Sequence, residues 1–175
     1  MRQKVTSTDQ ILEAAMGIAI REGVDKVSIR KLAKECGIGL GSMYNYYKDK
    51  EALISAVSEQ FWDHILEDHE KVYRKGMGFT LFLEQYYGFL HGRLARYDKS
   101  WLFQMNGRTK RGEIIRLLHS VLEKDDRINP AIWNMELNQD AFCEYIFVNF
   151  MALLQAGENN CRFFVFLLEH LLYNE

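Results

Sequence analysis

The residues whose types and spacing could do chemistry lie between Ser28 and Leu53, in the run Ser-Ile-Arg-Lys-Leu-Ala-Lys-Glu-Cys-Gly-Ile-Gly-Leu-Gly-Ser-Met-Tyr-Asn-Tyr-Tyr-Lys-Asp-Lys-Glu-Ala-Leu. Ser28 is placed to cap a short helix, with Ile29, Leu32 and Ala33 at i, i+3, i+4 spacing. Gly37 suits the left-handed residue of a sharp turn, Ile38 can plug the angle, and a third short helix runs through Ser42, Met43 and Tyr44. The pattern is a helix-turn-helix. The second helix of such a pair enters a DNA major groove only if its outer face is small or polar while its inner face packs on the unit. Gly39, Gly41 and Ser42 are small enough for close backbone approach, and Met43 and Tyr47 can face the first helix. Helix starts at Ser28 and Asp49 direct backbone N–H groups towards phosphates. Taken alone, Tyr44-Asn45-Tyr46-Tyr47 would read as core plus surface aromatics, but its flanks favour a DNA reader. Lys31 and Lys34 read as the solvated face of the second helix.

Other chemistry is poorly supported. The five histidines at 64, 69, 91, 119 and 170 are scattered, and no nucleophile motif, phosphate loop or His-Glu-x-x-His pattern accompanies them. His64 and His69, near Asp63, Glu67 and Asp68, are five apart and point from divergent faces of a helix, so a solvated charged face is favoured over a metal site. Cys36, Cys143 and Cys161 lack metal-ligand spacing and make no disulfide framework, and Cys36 reads as a small buried residue. Neither an enzyme nor a resident metal or cofactor is expected.

The elements that must position these residues are all helical, since strand signals are nearly absent. Ser7 with Gln10 begins a first helix whose stripe is Ile11, Leu12, Ala15, Ile18 and Ala19, and Gly23 stops it. Asp49 caps a fourth helix carrying Leu53, Ile54, Val57, Phe61, Ile65 and Leu66, which is predicted to reach about Arg74. Further helices are expected over Phe79–Arg96, a short Trp101–Met105, Lys110–Glu123, Leu137–Ala156 and Asn160–Tyr173. The fold class is therefore all-α, with a helix-turn-helix domain over 1–50 and a helical body over 51–175.

Composition agrees. The 175 residues are 48% hydrophobic, 26% charged and contain a single proline, which excludes a disordered or low-complexity chain. The net charge of -2 divides unevenly: residues 1–50 carry nine Lys and Arg against six Asp and Glu, leaving the remainder acidic. That suits a small basic module meeting an anion, joined to an acidic body. No apolar run approaches a bilayer span and no signal core opens the chain, so a soluble, cytoplasmic protein with no membrane partner is expected.

The order of these residues resembles the DNA-binding domain of the tetracycline-repressor (TetR) family: a capped first helix, then Ser28, Leu32-Ala33, Cys36-Gly37-Ile38, Gly41, Tyr44, Tyr47 and Asp49-Lys50-Glu51-Ala52-Leu53. The resemblance covers about residues 7–54. It implies an all-helical, dimeric transcription regulator, usually a repressor released by a small ligand in a variable C-terminal domain. It further implies Ser28 and Lys50 as phosphate contacts, Leu40, Ser42 and Asn45 as base-facing residues, and Tyr44 as a phosphate or base contact. Gly39 stands where the family often has a Ser or Thr cap, and Leu40 where it is frequently basic.

For the body only periodicity speaks. Phe163–Leu172 is apolar nearly all round, so two faces need cover. The preceding helix, with Phe142, Tyr145, Ile146, Phe150, Leu153 and Leu154, covers one, and the same pair from a second subunit is expected to cover the other. The dimer-interface residues are thus Phe142, Ile146, Phe150, Phe163, Phe166 and Leu167, in an isologous homodimer that implies a palindromic operator in double-stranded DNA. A wholly intramolecular core is the alternative. The residues placed to meet a small apolar or aromatic effector are Phe61, Phe82, Tyr86, His91, Trp101, Gln104 and Trp133, with Phe103 and Met105, although such a stripe is also what an ordinary core needs. Binding of a protein partner by the body, in place of a small ligand, is the alternative function.

Overall fold

The computed structural model describes residues 7–95, 97 and 108–173, and among them every regular element is a helix. In chain order these are α1 (Thr8–Glu22), α2 (Ile29–Cys36), α3 (Leu40–Tyr44), α4 (Lys50–Leu66), α5 (Phe79–Leu94), α6 (Arg108–Leu122), α7 (Gln139–Ala156) and α8 (Arg162–Leu172). Single 3-10 turns occupy Val24–Lys26, His69–Val72 and Pro130–Ile132. The chain divides into two compact units, the first of residues 7–65 with Tyr97 and the second of residues 66–95 and 108–173.

In the first unit the local signals act as expected. Ser7 Oγ accepts the Gln10 amide at 3.2 Å, and Gly23, at φ 99°, takes the chain out of α1. Gly37 is left-handed at φ 68° and ψ 27°, which lets the Ile38 amide reach back to the Ala33 carbonyl at 3.1 Å and turns the chain sharply into α3. Ile11, Ala15, Ile18, Leu32, Met43 and Leu53 are buried together as the core of this unit. Asp49 Oδ1 accepts the Ala52 amide at 2.7 Å and starts α4, along which Leu53, Val57, Phe61 and Ile65 are buried at helical spacing.

The fourth helix is shorter than its periodicity suggests: it ends at Leu66, not near Arg74. Asp68 adopts the left-handed conformation at φ 63°, the one positive-φ residue other than glycine among those described. The chain then turns through His69–Val72, bringing His69 Nδ1 to 2.8 Å from the Tyr86 hydroxyl. His69 is therefore half-buried against α5, which corrects its expected place on a solvated face.

In the second unit α5 buries Phe79, Phe82, Leu83, Tyr86, Tyr87 and Leu90, leaving a narrow exposed strip. Asp125 closes the unit. Its carboxylate is almost wholly buried and accepts from the Phe79 amide at 2.7 Å, the Tyr173 hydroxyl at 2.6 Å, and Arg127 Nε and Nη2 at 2.7 and 2.8 Å. It thus ties the start of α5 to the end of α8. The last two helices start slightly later than periodicity suggests: Asn134 Oδ1 takes the Glu136 and Leu137 amides into a turn, Asn138 Oδ1 then caps α7 by accepting the Ala141 amide, and Asn160 Oδ1 accepts the Arg162 amide at the start of α8. The short helix expected over Trp101–Met105 lies outside the described residues. No described helix is long and apolar enough to cross a membrane.

Candidate nucleic-acid interface

The helix-turn-helix presents one face to solvent. On α3, Met43 is fully buried while Leu40, Ser42 and Tyr44 are exposed, and Asn45 follows as an exposed C-cap. The burial of Met43 and Tyr47 fixes which way the short helix faces, so the other side chains have only one direction left. Burial raises the Tyr47 phenol above its ordinary range, with Asp9 of α1 adding to the effect, and among the described residues its hydroxyl has no hydrogen-bond partner. Adding a Cβ at Gly41 would bring it within 4 Å of nothing, and at Gly39 only to 3.8 Å from Ser42 Oγ. Neither glycine has positive φ, so neither backbone conformation nor internal packing demands a glycine there.

The flanking groups are held by the backbone. Ser28 Oγ accepts the Lys31 amide at 3.3 Å as the N-cap of α2, which leaves its own O–H free to donate outward. Lys50, at the first turn of α4, donates from Nζ to the Asp25 carbonyl at 3.3 Å, an exposed contact that holds its ammonium beside the turn between α1 and α2. Lys31, read from sequence as simply solvated, is ion-paired with Glu22 of α1, and Arg21 pairs with Glu35 at 3.3 Å across the same two helices. The hydrogen bond from Lys31 lowers the Glu22 carboxyl below its usual range. These pairs brace α2 against α1. Tyr46, one of the aromatic cluster read from sequence, and Lys48, which follows it, are both exposed beside the α3 face.

The residues predicted for an effector are not brought into one place. Phe61, in the first unit, is fully buried and meets Trp62 and Tyr97 edge to face at 5.5 and 4.9 Å. In the second unit Phe82 and Tyr86 are fully buried and stacked at 5.2 Å, with Tyr86 hydrogen-bonded to His69. Burial pushes the Tyr86 phenol strongly up and the His69 imidazole down, each towards its uncharged form. His91 is half-buried and stacks on Tyr87 at 6.2 Å, on another side of α5. Trp133 packs edge-on to Phe142 and lines an open cleft of about 450 Å³ with His119, Asn134, Asn138, Gln139 and Asp140. Trp101, Phe103, Gln104 and Met105 lie outside the described residues.

Of the interface residues, Phe163, Phe166 and Leu167 are exposed on α8, Phe163 to 76%. Phe142, Ile146 and Phe150 of α7 are buried within the chain itself, where Phe150 meets Tyr87 and Phe164 edge to face. The residues α7 presents outward are instead Tyr145 and Val148, which join Phe163, Phe166, Leu167 and Leu171 as exposed large apolar side chains.

A three-helix unit with a glycine turn, a packed inner face and an exposed short helix defines a helix-turn-helix DNA-binding domain. Residues 11–57 match the family model described as "Bacterial regulatory proteins, tetR family". Among curated relatives it is similar to an uncharacterized HTH-type transcriptional regulator, YvdT, of Bacillus subtilis, with 37% identity over 59 residues, 34% of this chain and 30% of that protein. It is also similar to an uncharacterized HTH-type transcriptional regulator of Haemophilus influenzae, with 33% identity over 72 residues, 41% and 38% of the two chains. The match thus spans about a third of these relatives' length. In fold the likeness is longer. BioQ, crystallised with its double-stranded DNA operator, superposes with a TM-score of 0.70 over 95% of this chain and 98% of that one, at 18% identity. RolR in complex with resorcinol gives a TM-score of 0.64 over 94% and 86%, at 20% identity. A TetR variant from Acinetobacter baumannii in complex with minocycline gives 0.59 over 87% and 71%, at 15% identity.

Proposed function

We propose that this protein is a cytoplasmic, sequence-specific DNA-binding transcriptional regulator, a repressor that leaves its operator when a small apolar or aromatic molecule binds its C-terminal body. The observation that carries this reading is the α2–Gly37–α3 turn, with Met43 and Tyr47 buried and Leu40, Ser42, Tyr44 and Asn45 turned outward. On this reading residues 1–50 bind duplex DNA and 51–175 bind effector and partner subunit. Leu40, Ser42 and Asn45 face base edges, Ser28 and Lys50 hold phosphates, and Tyr44 touches either.

The exposed apolar face of α7 and α8 supports a homodimer, because six large apolar side chains gathered on two neighbouring helices are costly to leave in water. Two recognition helices about one DNA turn apart, ~34 Å or a multiple, then require a palindromic operator. For the effector, support comes from the fold: RolR was crystallised with resorcinol and the Acinetobacter TetR variant with minocycline. The aromatic interior of the second unit, where Phe82 and Tyr86 stack, suits a ligand of that chemistry.

The test is selection of bound sequences from a random duplex library by the purified protein. A palindromic consensus, lost with Tyr44→Ala, is the expected result; binding without sequence preference at any salt concentration overturns the reading. Aromatic compounds are then screened for release of the selected duplex, and a coupling of about 1–3 kcal/mol would change operator affinity roughly 5–150-fold. A protein that releases its operator only when a copurifying protein is added would replace the effector with a protein partner.

A further inference from the structure

The face that α3 turns outward has an unusual chemical inventory for a base reader. Between Gly39 and Tyr47 there is no Arg, Lys or Gln. Guanine presents O6 and N7 as paired acceptors in the major groove and is most often recognised by Arg or Lys, neither of which this helix carries. The nearest cations in sequence flank α3 and are not part of it: Lys48 is exposed 3.9 Å from Asp49, Lys50 donates to the Asp25 carbonyl, and on α2 Lys34 is exposed and Lys31 is paired with Glu22.

Besides the Ser42 and Tyr44 hydroxyls, the face offers apolar surface and a carboxamide. Leu40 is 39% exposed at the start of α3, and the glycines on either side leave it standing clear. An apolar side chain held in water is a cost that the free protein does not recover. The one apolar group on a base edge in the major groove is the C5 methyl of thymine. Asn45, exposed at the other end of α3, carries a donor and an acceptor side by side, the match for adenine N6 and N7.

We propose that α3 reads an A·T-rich half-site, with Leu40 packed on a thymine methyl and Asn45 paired to an adenine. The inference rests on the proposed role of α3 as recognition helix, and adds to it the chemistry of the DNA that it selects.

The experiment begins with the duplex selected from the random library. Each thymine of the half-site is replaced in turn by deoxyuridine, which removes the methyl and nothing else. Wild-type protein is expected to lose about fourfold in affinity at one position, the effect of a buried methyl-sized group. Leu40→Ala is expected to bind the parent duplex about as weakly as wild type binds the substituted one, and to be indifferent to the substitution at that position. Asn45→Ala should lose discrimination at a single adenine by roughly 5–150-fold. Both variants alter exposed side chains, and thermal melting unchanged from wild type separates these effects from misfolding. Guanine or cytosine at the selected core positions, no loss on any thymine replacement, or an equal loss for Leu40→Ala and wild type would each overturn the inference while leaving sequence-specific binding intact. Failure to select any sequence would overturn the proposed function and this inference together.

Discussion

Asp125 shows how one side chain can decide the behaviour of a whole unit. Burial alone would raise its pKa, but the Arg127 guanidinium, the Tyr173 hydroxyl and the Phe79 and Arg127 amides more than offset this and hold it down at about 2. A carboxyl whose folded pKa lies below its unfolded value of 3.8 stabilises the fold above that value and loses the contribution as pH falls towards 2. The shift corresponds to about 2 kcal/mol at neutral pH. Denaturant melts at decreasing pH are therefore expected to show stability falling between about pH 4 and 2 through this group, with Asp125→Asn flattening that part of the profile. Asp125→Ala, which strands the Phe79 amide and the Tyr173 hydroxyl as well, should cost about 3 kcal/mol at pH 7. None of this was legible in the sequence, where Asp125 falls between the helices expected over Lys110–Glu123 and Leu137–Ala156. The partners that bury the carboxylate are 46 and 48 positions away, and no local pattern announces them.

At the scale of elements, what could be read in advance was what short-range physics decides. The caps at Ser7, Ser28 and Asp49 and the left-handed Gly37 involve partners within five residues, so α1 to α3 and the start of α4 follow from the chain alone. The end of α4 does not. No Gly or Pro stops it before Gly76, but Asp68 turns left-handed and His69 goes to Tyr86, seventeen residues on, so tertiary packing ends the helix early. The outward face of α7 was hidden for a similar reason: Phe142 and Tyr145 are equally apolar in sequence, and only the packed structure buries the first and exposes the second. The small residues of the exposed side of α3, Gly39, Gly41 and Ser42, were legible, and that yields a test of the element itself. Gly41→Ala should stabilise the free protein, by up to about 1 kcal/mol, because alanine is the better helix former and its methyl meets nothing. The same methyl stands on the face proposed to enter the groove, so operator affinity should fall about tenfold, or 1.4 kcal/mol. Calorimetry and duplex titration on one preparation would show the two effects moving in opposite directions.

The whole molecule is expected to work as a pair, and its electrostatics should show it. A dimer that neutralises phosphates with Lys50 on both half-sites should lose about two from the slope of log affinity against log salt when Lys50→Ala is made, since each cation contributes ~0.9. A loss of about one would mean that a single subunit engages. Leu167→Glu, on the exposed face of α8, is expected to give monomers in sedimentation and to abolish the selected palindromic binding with little change in the helicity of each chain.

The tie between Phe79, Asp125 and Tyr173 also sets an order of events at the ribosome. Synthesis delivers α1, α2, α3 and the start of α4 with Leu53 first, caps and core partners together, so the DNA-binding unit has the local means to begin folding early. The second unit cannot finish so soon. Its carboxylate waits for a hydroxyl that is made only after α8, and until Tyr173 emerges the start of α5 is held by one fewer strut. The nascent chain thus acquires its reading head before its clasp is complete, and a protease probing stalled chains of increasing length should find the second unit becoming resistant last, when Tyr173 clears the exit tunnel.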